Sequence, residues 1–501
     1  MIEKISLPEK ERLIVQRLRD FIDDDNLDAY FVALVVGIRK IGKTTALLQL
    51  KAHYPDTVYI DFLRENTTED DLYDVLEGNF KLLLLDEITH LEDFENTAQH
   101  IYNMAGKNGF KVIMTGSSSA HLTKLSMSKL GGGRARLFRL PPITFIEYLY
   151  FTDRISGYDD YTDVCNSDFA DYLLLKNLTP ALRIQFDAEY FNTFYSEVKE
   201  GNEKRGLSNS LVNLKESDLL HMSDLIAYKL NEAASYDKSV GHLLGTDRRG
   251  KKEYNSLNAL KNVKTTKWSQ INLSDAFITE SHNAAKGISA QDKGRILHFL
   301  LWAGLANIEL LKESDDDILP DVGDIMSRLK HCTKTGELQQ LFDEVSICLT
   351  TPLFYTRLGV DIVSRMGVNI GNLCKGDMLG KMLEVYVRGA VTIRSVNRIM
   401  SSVKLNYIDG SGEVDIYEKD AGLLLEVTHN DKDENEIYLQ NYMKDAELVR
   451  VCSTNSSDTP KKCYHRISYA KLCCMIDMGD VFKLPRTTGY GILTAINAGE
   501  V

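Results

Sequence analysis

The sequence lacks an apolar run of about 18 residues, the length that a membrane-spanning helix requires, so we expect no membrane partner. Its N-terminus does not fit a secretory signal, because Glu3, Lys4, Glu9 and Lys10 interrupt any apolar core. No C-x-x-C pair occurs among the eight cysteines. Together these features predict reduced thiols and a cytoplasmic protein.

The cysteines and histidine near the C-terminus allow two interpretations. Their spacings fit no standard zinc pattern, and two of the cysteines lie in an apolar stretch of helical character over 469–478, where buried thiols are common. We therefore favour buried thiols over a zinc site for the whole group, which comprises Cys452, Cys463, His465, Cys473 and Cys474.

The chain also lacks an excess of basic residues, since its net charge is −13 over 501 residues. A protein that coats duplex DNA is usually basic, so DNA binding here would depend on a local patch. The most basic run is Asp247-Arg248-Arg249-Gly250-Lys251-Lys252 with Lys261, Lys264 and Lys267, for which a solvated loop is the favoured alternative. The composition, 44% apolar and 26% charged, is that of a soluble globular protein, and the length predicts about three or four domains.

An apolar run over 29–36 leads directly into Gly37-Ile38-Arg39-Lys40-Ile41-Gly42-Lys43-Thr44, which matches the P-loop pattern G-x-x-x-x-G-K-[ST]. A helical pattern follows, so strand, glycine loop and helix occur in the order that the motif requires. The glycines let backbone N–H groups face phosphates, and the lysine adds a positive charge, so we expect ATP and Mg²⁺ as cofactors. The residues predicted to hold the nucleotide are Gly37, Ile41, Gly42, Lys43, Thr44 and Thr45, with Thr44 also a Mg²⁺ ligand.

A second strand of the buried type over 80–85 ends in two adjacent carboxylates, Asp86 and Glu87. Such a pair at the end of an apolar strand is costly unless a cation binds there. Beside a P-loop, the pattern predicts that Asp86 holds Mg²⁺ through water. Glu87 is then the predicted general base that polarises the attacking water.

Three further strands are expected over 58–61, 111–115 and 135–140. Thr115 and Ser117, at the end of the second of these, are candidates for sensing the γ-phosphate and orienting water, with helix capping as the alternative for serine. Arg134 follows three glycines and is a candidate arginine finger, acting within the chain or on a neighbouring subunit. The alternative is a surface arginine.

These motifs together resemble the prokaryotic AAA+-type ATPases that carry a C-terminal domain of restriction-endonuclease-like fold. The resemblance rests on the P-loop with its second threonine, the segment LLLLDEI at 82–88, TGSSS at 115–119 and RLPPITFIEYL at 139–149. It is tight over 25–150 and looser beyond. It implies an ATPase domain over about 1–150 with a parallel sheet of strand order 5-1-4-3-2. The sequence departs at Thr89, where the family usually has Gln, and we expect a small effect.

The middle of the chain is expected to form a helical extension over 151–285 and a winged-helix-like module over 286–350. A capping box at 289–292 begins a helix that Gly304 ends. A strand over 307–311 and an acidic turn over 313–317 then predict a β-ribbon, and helix followed by ribbon is the outline that the resemblance also implies. Because an acidic turn repels phosphates, we favour a structural or protein-contact role for this ribbon.

Residues 351–501 are expected to form an α/β domain of the restriction-endonuclease-like fold. The sequence predicts a helix over 380–387, a hairpin with strands over 404–408 and 413–417, and a buried strand over 423–427.

In that fold, Glu384 on the helix would form a second metal site with Asp415 and Glu426 on the strands. The alternative is that polar contacts stabilise the three carboxylates and no metal binds. Thr428 stands where active nucleases have lysine, which predicts a degenerate site, and the candidates to replace that lysine are Lys432 and Lys444.

Three functions remain open at this level. The first is an ATPase whose nucleotide state drives the C-terminal domain on DNA without efficient cleavage. The second is an ATP-driven DNA nuclease, which the threonine at 428 disfavours. The third is a signalling or scaffold switch that forms a homo-oligomer with nucleotide and binds protein partners, which the acidity of the chain favours.

Overall fold

The structure is a computed structural model in which the chain forms two compact units. Met1–Ile143 and two short later segments cluster as the first unit, and the remainder clusters as the second. The residues described are 7–24, 30–38, 40–63, 68–116, 119–131, 134–183, 289–302, 304–313, 321–353, 376–394, 401–406, 413–418, 423–427, 447–452 and 465–483.

The first unit alternates strands and helices. Its strands are β1 (Val32–Val36), β2 (Thr57–Asp61), β3 (Leu82–Asp86), β4 (Lys111–Thr115) and β5 (Ala135–Arg139). Its helices are α1 (Leu13–Asp23), α2 (Lys43–His53), α3 (Glu69–Leu76), α4 (Phe94–Asn108) and α5 (Ser119–Met127), with a 3₁₀ turn at Ile88–His90. The five strands predicted from apolar runs are therefore present, each within a few residues of its expected bounds.

The five strands form one parallel sheet in the order β2-β3-β4-β1-β5. This confirms the expected order 5-1-4-3-2. All residues of β1 and β3 are buried, which is why both read as continuous apolar runs rather than as alternating patterns. Because the strands are parallel, their carboxyl ends meet at one edge, the usual location of ligand sites in such sheets.

Helix α1 packs on this sheet through one apolar face. Leu13, Leu18 and Phe21 on that face are buried, and the Phe21 ring meets Phe138 of β5 edge-on at 5.8 Å between centroids. The residue that precedes the first turn of the helix, Arg12, is consequently carried into the interior.

Beyond Ile143, the described helices are α6 (Phe145–Phe151), α7 (Asn166–Leu173), α8 (Pro180–Arg183), α9 (Ala290–Trp302), α10 (Val322–His331), α11 (Thr335–Glu344), α12 (Gly376–Arg394) and α13 (Tyr469–Met478). The strands are β6 (Ala306–Glu313), β7 (Val345–Leu349), β8 (Ser401–Asn406), β9 (Glu413–Glu418), β10 (Leu423–Val427), β11 (Glu447–Cys452) and β12 (His465–Ser468). A 3₁₀ turn at Asp480–Lys483 follows α13.

These strands form a seven-stranded mixed sheet in the order β12-β11-β10-β9-β8-β6-β7. Strands β8, β9 and β10 are antiparallel neighbours, so the predicted hairpin and the strand after it are confirmed, with Leu425 of that strand buried. Strands β10, β11 and β12 run parallel. Strand β6 pairs in parallel with β8, so one sheet contains strands from both sides of the boundary expected at 350.

The prediction that a β-ribbon directly follows β6 is wrong. The next described element after the acidic residues is helix α10, and the antiparallel partner of β6 is β7, which follows two helices. Because β6 is paired with β7 and β8, no described strand directly after the acidic residues pairs with it, and the argument that they repel phosphates as a ribbon tip loses its basis. The sequence misled here because a short polar segment is compatible both with a hairpin turn and with the start of a helix.

An aromatic cluster joins α6, α7, α12 and α13 in the core of the second unit. The ring of Phe169 lies edge-on to Phe145, Tyr386 and Tyr469, with centroids between 5.4 and 5.9 Å apart. Tyr172 meets Tyr386 in the same geometry at 5.6 Å. Edge-to-face contacts add to the hydrophobic gain from burying these large side chains, so the cluster fixes α6 against the C-terminal helices.

Helix α13 contains Cys473 and Cys474, and both are buried, as the apolar pattern predicted. Burial, together with the charge of Asp477, holds the pKa of the Cys473 thiol well above its ordinary value.

Cys463 and the basic run at 248–252 lie outside the described residues, as does the helical extension beyond 183. Within the ranges given above, no helix combines the length and apolar character needed to cross a membrane.

Candidate functional site

The P-loop segment lies between β1 and α2, at the carboxyl edge of the parallel sheet. Gly42 precedes α2 with a φ of 102°, a left-handed conformation that favours glycine. Gly37 is constrained by its surroundings instead, because a Cβ atom there would lie 2.6 Å from the carbonyl oxygen of Leu140. Both glycines of the motif therefore have a steric reason to be glycine.

The Lys43 ammonium lies against the backbone of the loop. Its Nζ donates to the carbonyl oxygens of Gly37 at 2.6 Å and Ile38 at 3.0 Å, and the residue is only 5% exposed. A buried ammonium requires strong acceptors, and an anionic phosphate is a stronger acceptor than a neutral carbonyl. The lysine is therefore placed to exchange its carbonyl contacts for phosphate contacts.

The other predicted nucleotide-binding residues differ in how they can reach a ligand. Thr44 is exposed and Thr45 half-buried in the first turn of α2. The side chain of Ile41 belongs to the core, so this residue can meet a phosphate only through its backbone.

Asp86, at the end of β3, is 1% exposed. Thr115 donates its hydroxyl proton to Oδ1, and the hydroxyl of Tyr59 donates to Oδ2 at 3.1 Å. The parallel registers bring these residues together, since β2 and β4 flank β3. The hydroxyl groups orient the carboxylate but leave its negative charge to be balanced by a cation.

Glu87 follows with a φ of 56°, a left-handed conformation that is uncommon for a residue other than glycine. Its N–H donates to the Thr115 hydroxyl at 3.4 Å, and its Oε2 lies 3.9 Å from Nε2 of His90. Sparsely populated backbone conformations cluster at functional sites because the surrounding structure must hold them.

Residues 30–149 match the protein family described as AAA domain. This part of the chain is an AAA-type P-loop ATPase domain. Among solved structures, the chain is similar to Cdc6p from Pyrobaculum aerophilum, at 16% identity and a TM-score of 0.25, over 52% of this chain and 88% of that one. At that TM-score the likeness supports no conclusion. No curated protein matches the chain.

Thr115 has a role in the AAA domain that the sequence did not specify. Its hydroxyl contacts the Asp86 carboxylate and the Glu87 backbone, and the predicted role in sensing the γ-phosphate and orienting water stays a prediction. Both contacts fix the two acidic residues relative to each other. Tyr59 also orients the Asp86 carboxylate and was missed, because a tyrosine within a strand is more often a packing residue.

Ser119, the first residue of α5, holds the start of the P-loop. Its Oγ accepts from the Gly37 N–H at 3.0 Å and donates to the Gly37 carbonyl at 2.7 Å. The serine-rich segment after β4 was expected to contain a functional hydroxyl, but the candidate was Ser117, which lies outside the described residues. A contact across 82 residues of sequence leaves no local signal.

Replacing Ser119 by Ala should weaken nucleotide binding by about five- to tenfold, because it removes two hydrogen bonds that hold the first glycine of the loop. Titration with a fluorescent adenine nucleotide would measure the change. Ser126→Ala is a matched control, since this buried serine of the same helix donates to Thr123 at 2.6 Å. Equal affinities for the native chain and Ser119→Ala would contradict the assigned role.

The remaining candidates in the AAA domain lie in ordinary surroundings. Arg134 is exposed, donates to the Lys129 carbonyl at 3.3 Å and stands 6.0 Å from the centroid of the Tyr102 ring. Acting as an arginine finger within its own chain would require giving up these contacts, so that role stays a prediction. Thr89 is buried. It packs tightly against Gly116, since a Cβ atom on Gly116 would lie 2.6 Å from the Thr89 side chain.

The second predicted metal site is only partly described. Strands β9 and β10 pair with Leu425 opposite Ile416, so Asp415 and Glu426 occupy adjacent positions on neighbouring strands. Glu384 of α12 is buried, and its Oε1 lies 2.7 Å from Nη2 of Arg388 on the same helix. Thr428, Lys432 and Lys444 lie outside the described residues.

The Arg388 guanidinium also pairs with a second carboxylate. Its Nη2 lies 2.6 Å from Oε1 of Glu309 on β6, and the side chains of Arg388 and Glu309 are 1% and 0% exposed. The cation that balances Glu384 is therefore an arginine supplied by the protein. The alternative interpretation of Glu384, stabilisation by polar contacts, fits this arrangement better than a metal ligand does.

Proposed function

We propose that the AAA domain binds ATP with Mg²⁺ and hydrolyses it, and that its nucleotide state controls the second unit. The observation that carries the proposal is the buried Asp86 carboxylate, oriented by two hydroxyl groups at the edge of the sheet where the P-loop lies. A desolvated carboxylate held in this way is suited to a cation, and the neighbouring loop is suited to the phosphates that bring one.

The residues divide the chemistry among themselves. Lys43 would leave the carbonyls of its loop to neutralise the β- and γ-phosphates. The exposed Thr44 hydroxyl and, through water, Asp86 would hold Mg²⁺, which when bound offsets phosphate charge. Glu87 would accept a proton from the attacking water as general base, with Thr115 fixing the backbone on which it stands. Arg134 is retained as the candidate for stabilising charge on the γ-phosphate.

Nucleotide titration of Lys43→Ala tests the proposal. The variant should bind ATP about 10- to 100-fold more weakly than the native chain, because it loses charge-assisted contacts to the phosphates. Lys124→Ala is the control, since this exposed lysine pairs with Glu95 at 3.8 Å. Tight binding by Lys43→Ala, or no binding by the native chain, would contradict ATP binding at the P-loop.

For the second unit, we propose a restriction-endonuclease-like domain that acts on DNA without efficient cleavage. Helix α12, the antiparallel strands β8, β9 and β10, and the parallel strand β11 have the order expected for that fold. The pairing of Glu384 with Arg388 opposes the ATP-driven nuclease, because a metal site at Glu384 would have to compete with a buried guanidinium.

The order α9, β6, α10, α11, β7 supports a winged-helix-like module that shares the sheet of the nuclease-like domain. The alternative function is a signalling or scaffold switch that forms a homo-oligomer and binds protein partners, which the net charge of −13 favours. ATP turnover measured with single-stranded, duplex and branched DNA separates the two: stimulation favours the DNA-directed function, and indifference favours the switch.

A further inference from the structure

Arg12 connects two segments of the AAA unit that are distant in sequence. Its Nη1 donates to the carbonyl oxygen of Ile41 at 3.1 Å, and its Nη2 donates to the carbonyl oxygen of Pro141 at 2.9 Å. The residue is 7% exposed. A planar guanidinium can hold two acceptors at a fixed separation, which a single ammonium cannot do. The first acceptor belongs to the P-loop and the second to the segment that leaves β5.

The contact at Ile41 fixes the orientation of a phosphate-binding peptide. The peptide between Ile41 and Gly42 is planar and trans, so its C=O and N–H point in opposite directions. Holding the carbonyl toward Arg12 therefore directs the Gly42 N–H away from it. A cationic donor on the carbonyl also polarises the peptide and strengthens its N–H as a donor.

The contact at Pro141 lies in the short connection between β5 and α6. This connection begins at Leu140, whose N–H donates to the Val36 carbonyl at 2.8 Å, and it ends at Thr144, the N-cap of α6. Val36 is itself the residue before Gly37. The start of the connection is thus held at two adjacent residues, at Leu140 by the end of β1 and at Pro141 by Arg12, which also binds the P-loop.

The start of α6 is held by partners within the second unit. The Phe145 N–H donates to the Tyr386 hydroxyl at 2.7 Å, and the Ile146 N–H donates to Oδ2 of Asp477 at 3.2 Å. The first N–H groups of a helix have no acceptor within the helix, so their protection from solvent exchange depends on these two side chains. A displacement of the connection should therefore change the hydrogen-exchange rates of these two amides first.

We propose that Arg12 is a positioning residue that orients the Ile41–Gly42 peptide for phosphate binding and couples the P-loop to the connection leading into α6. The inference rests on nucleotide binding at the P-loop, as proposed above. When phosphate binding shifts the loop, Arg12 transmits the shift to Pro141, and the connection carries it to the first amides of α6. The displacement thereby reaches the second unit through the continuous chain from Pro141 to Phe145.

Hydrogen exchange measured by mass spectrometry on the full chain tests the coupling, with affinity for a fluorescent adenine nucleotide measured in parallel. In the native chain, nucleotide should change exchange in peptides that cover Phe145 and Ile146. Arg12→Lys keeps the positive charge but loses the planar group that binds two carbonyls at once. It should therefore raise the Kd for nucleotide by about tenfold and abolish the change in hydrogen exchange at saturating nucleotide. Arg12→Gln should do the same, and Arg19→Lys, on the same helix, should behave as the native chain.

The outcomes separate this inference from the function on which it rests. Nucleotide binding by the native chain with no exchange change in α6 overturns the coupling while leaving the ATP site intact. A change in α6 that persists in both Arg12 variants at saturation overturns the role of Arg12. Failure of the native chain to bind nucleotide removes the ATP site and the coupling with it. Loss of the change in both Arg12 variants, with nucleotide still bound and Arg19→Lys unaffected, supports the proposal.

Discussion

Glu87→Gln is expected to lower ATP turnover by about 100- to 1,000-fold while leaving ATP affinity within about twofold of the native value. The amide has nearly the shape of the carboxylate, so the left-handed turn at this position and its contact with Thr115 should persist. What the variant loses is the ability to accept a proton from water. General-base catalysis typically contributes this much to a rate, whereas binding depends on Lys43 and the loop.

Single-turnover phosphate release, with affinity measured separately, distinguishes this role from a structural one. Glu95→Gln is the matched control, because it makes the same change on a carboxylate that forms a partly exposed pair with Lys124 at 3.8 Å and should leave turnover unchanged. Near-native turnover in Glu87→Gln would mean that another residue is the general base. A parallel loss of affinity and turnover would mean that Glu87 supports the fold of the site and does not act on water.

The part of the site that could be predicted from sequence is the part that local rules determine. The strands that carry the P-loop and Asp86 are fully buried, so each appears as an apolar run that ends abruptly in polar residues. Gly37 and Gly42 are needed for backbone geometry that the motif encodes directly. The hairpin between β8 and β9 was likewise predictable, because turn residues separate two short strands.

The residues that hold the site in place were not predictable, because their contacts join distant segments. Arg12 lies 29 residues from Ile41 and 129 from Pro141. Ser119 reaches back 82 residues to Gly37, and Tyr59 lies 27 residues before Asp86. In isolation each reads as a helix-terminal or strand residue. Only the parallel sheet, which brings the carboxyl ends of β2, β3, β4 and β1 together, gives these side chains a common location.

Glu384 shows the reverse situation, in which a sequence pattern suggested a metal ligand and the structure pairs the carboxylate with an arginine. A carboxylate on a helix ahead of two acidic strands resembled a metal ligand, yet Arg388 lies one helical turn further along the same helix. The second carboxylate, Glu309, comes from a strand that was assigned to a different module. The pairing of β6 with β8 is what brings it there, and no spacing in the sequence predicts that pairing.

Arg388→Met is expected to destabilise the second unit by about 3–5 kcal/mol, because it leaves two buried carboxylates without their cation. The side chains of Glu309 and Glu384 are 0% and 5% exposed, so water cannot replace the guanidinium without opening the core. Methionine fills much of the volume of arginine, which keeps the loss of packing small compared with the loss of charge. Urea unfolding followed by circular dichroism would measure the difference.

The triple variant Glu309→Gln, Glu384→Gln, Arg388→Met separates charge from packing. Replacing a whole buried ion cluster by neutral groups is often tolerated, so the triple variant should recover most of the stability that Arg388→Met loses. Arg154→Met is the control, since Arg154 is 41% exposed and its pair with Asp168 should contribute about 1 kcal/mol or less. If the triple variant were as unstable as Arg388→Met, the arginine would act through its volume and shape. Recovery would instead show that the arginine acts by balancing the charges of Glu309 and Glu384.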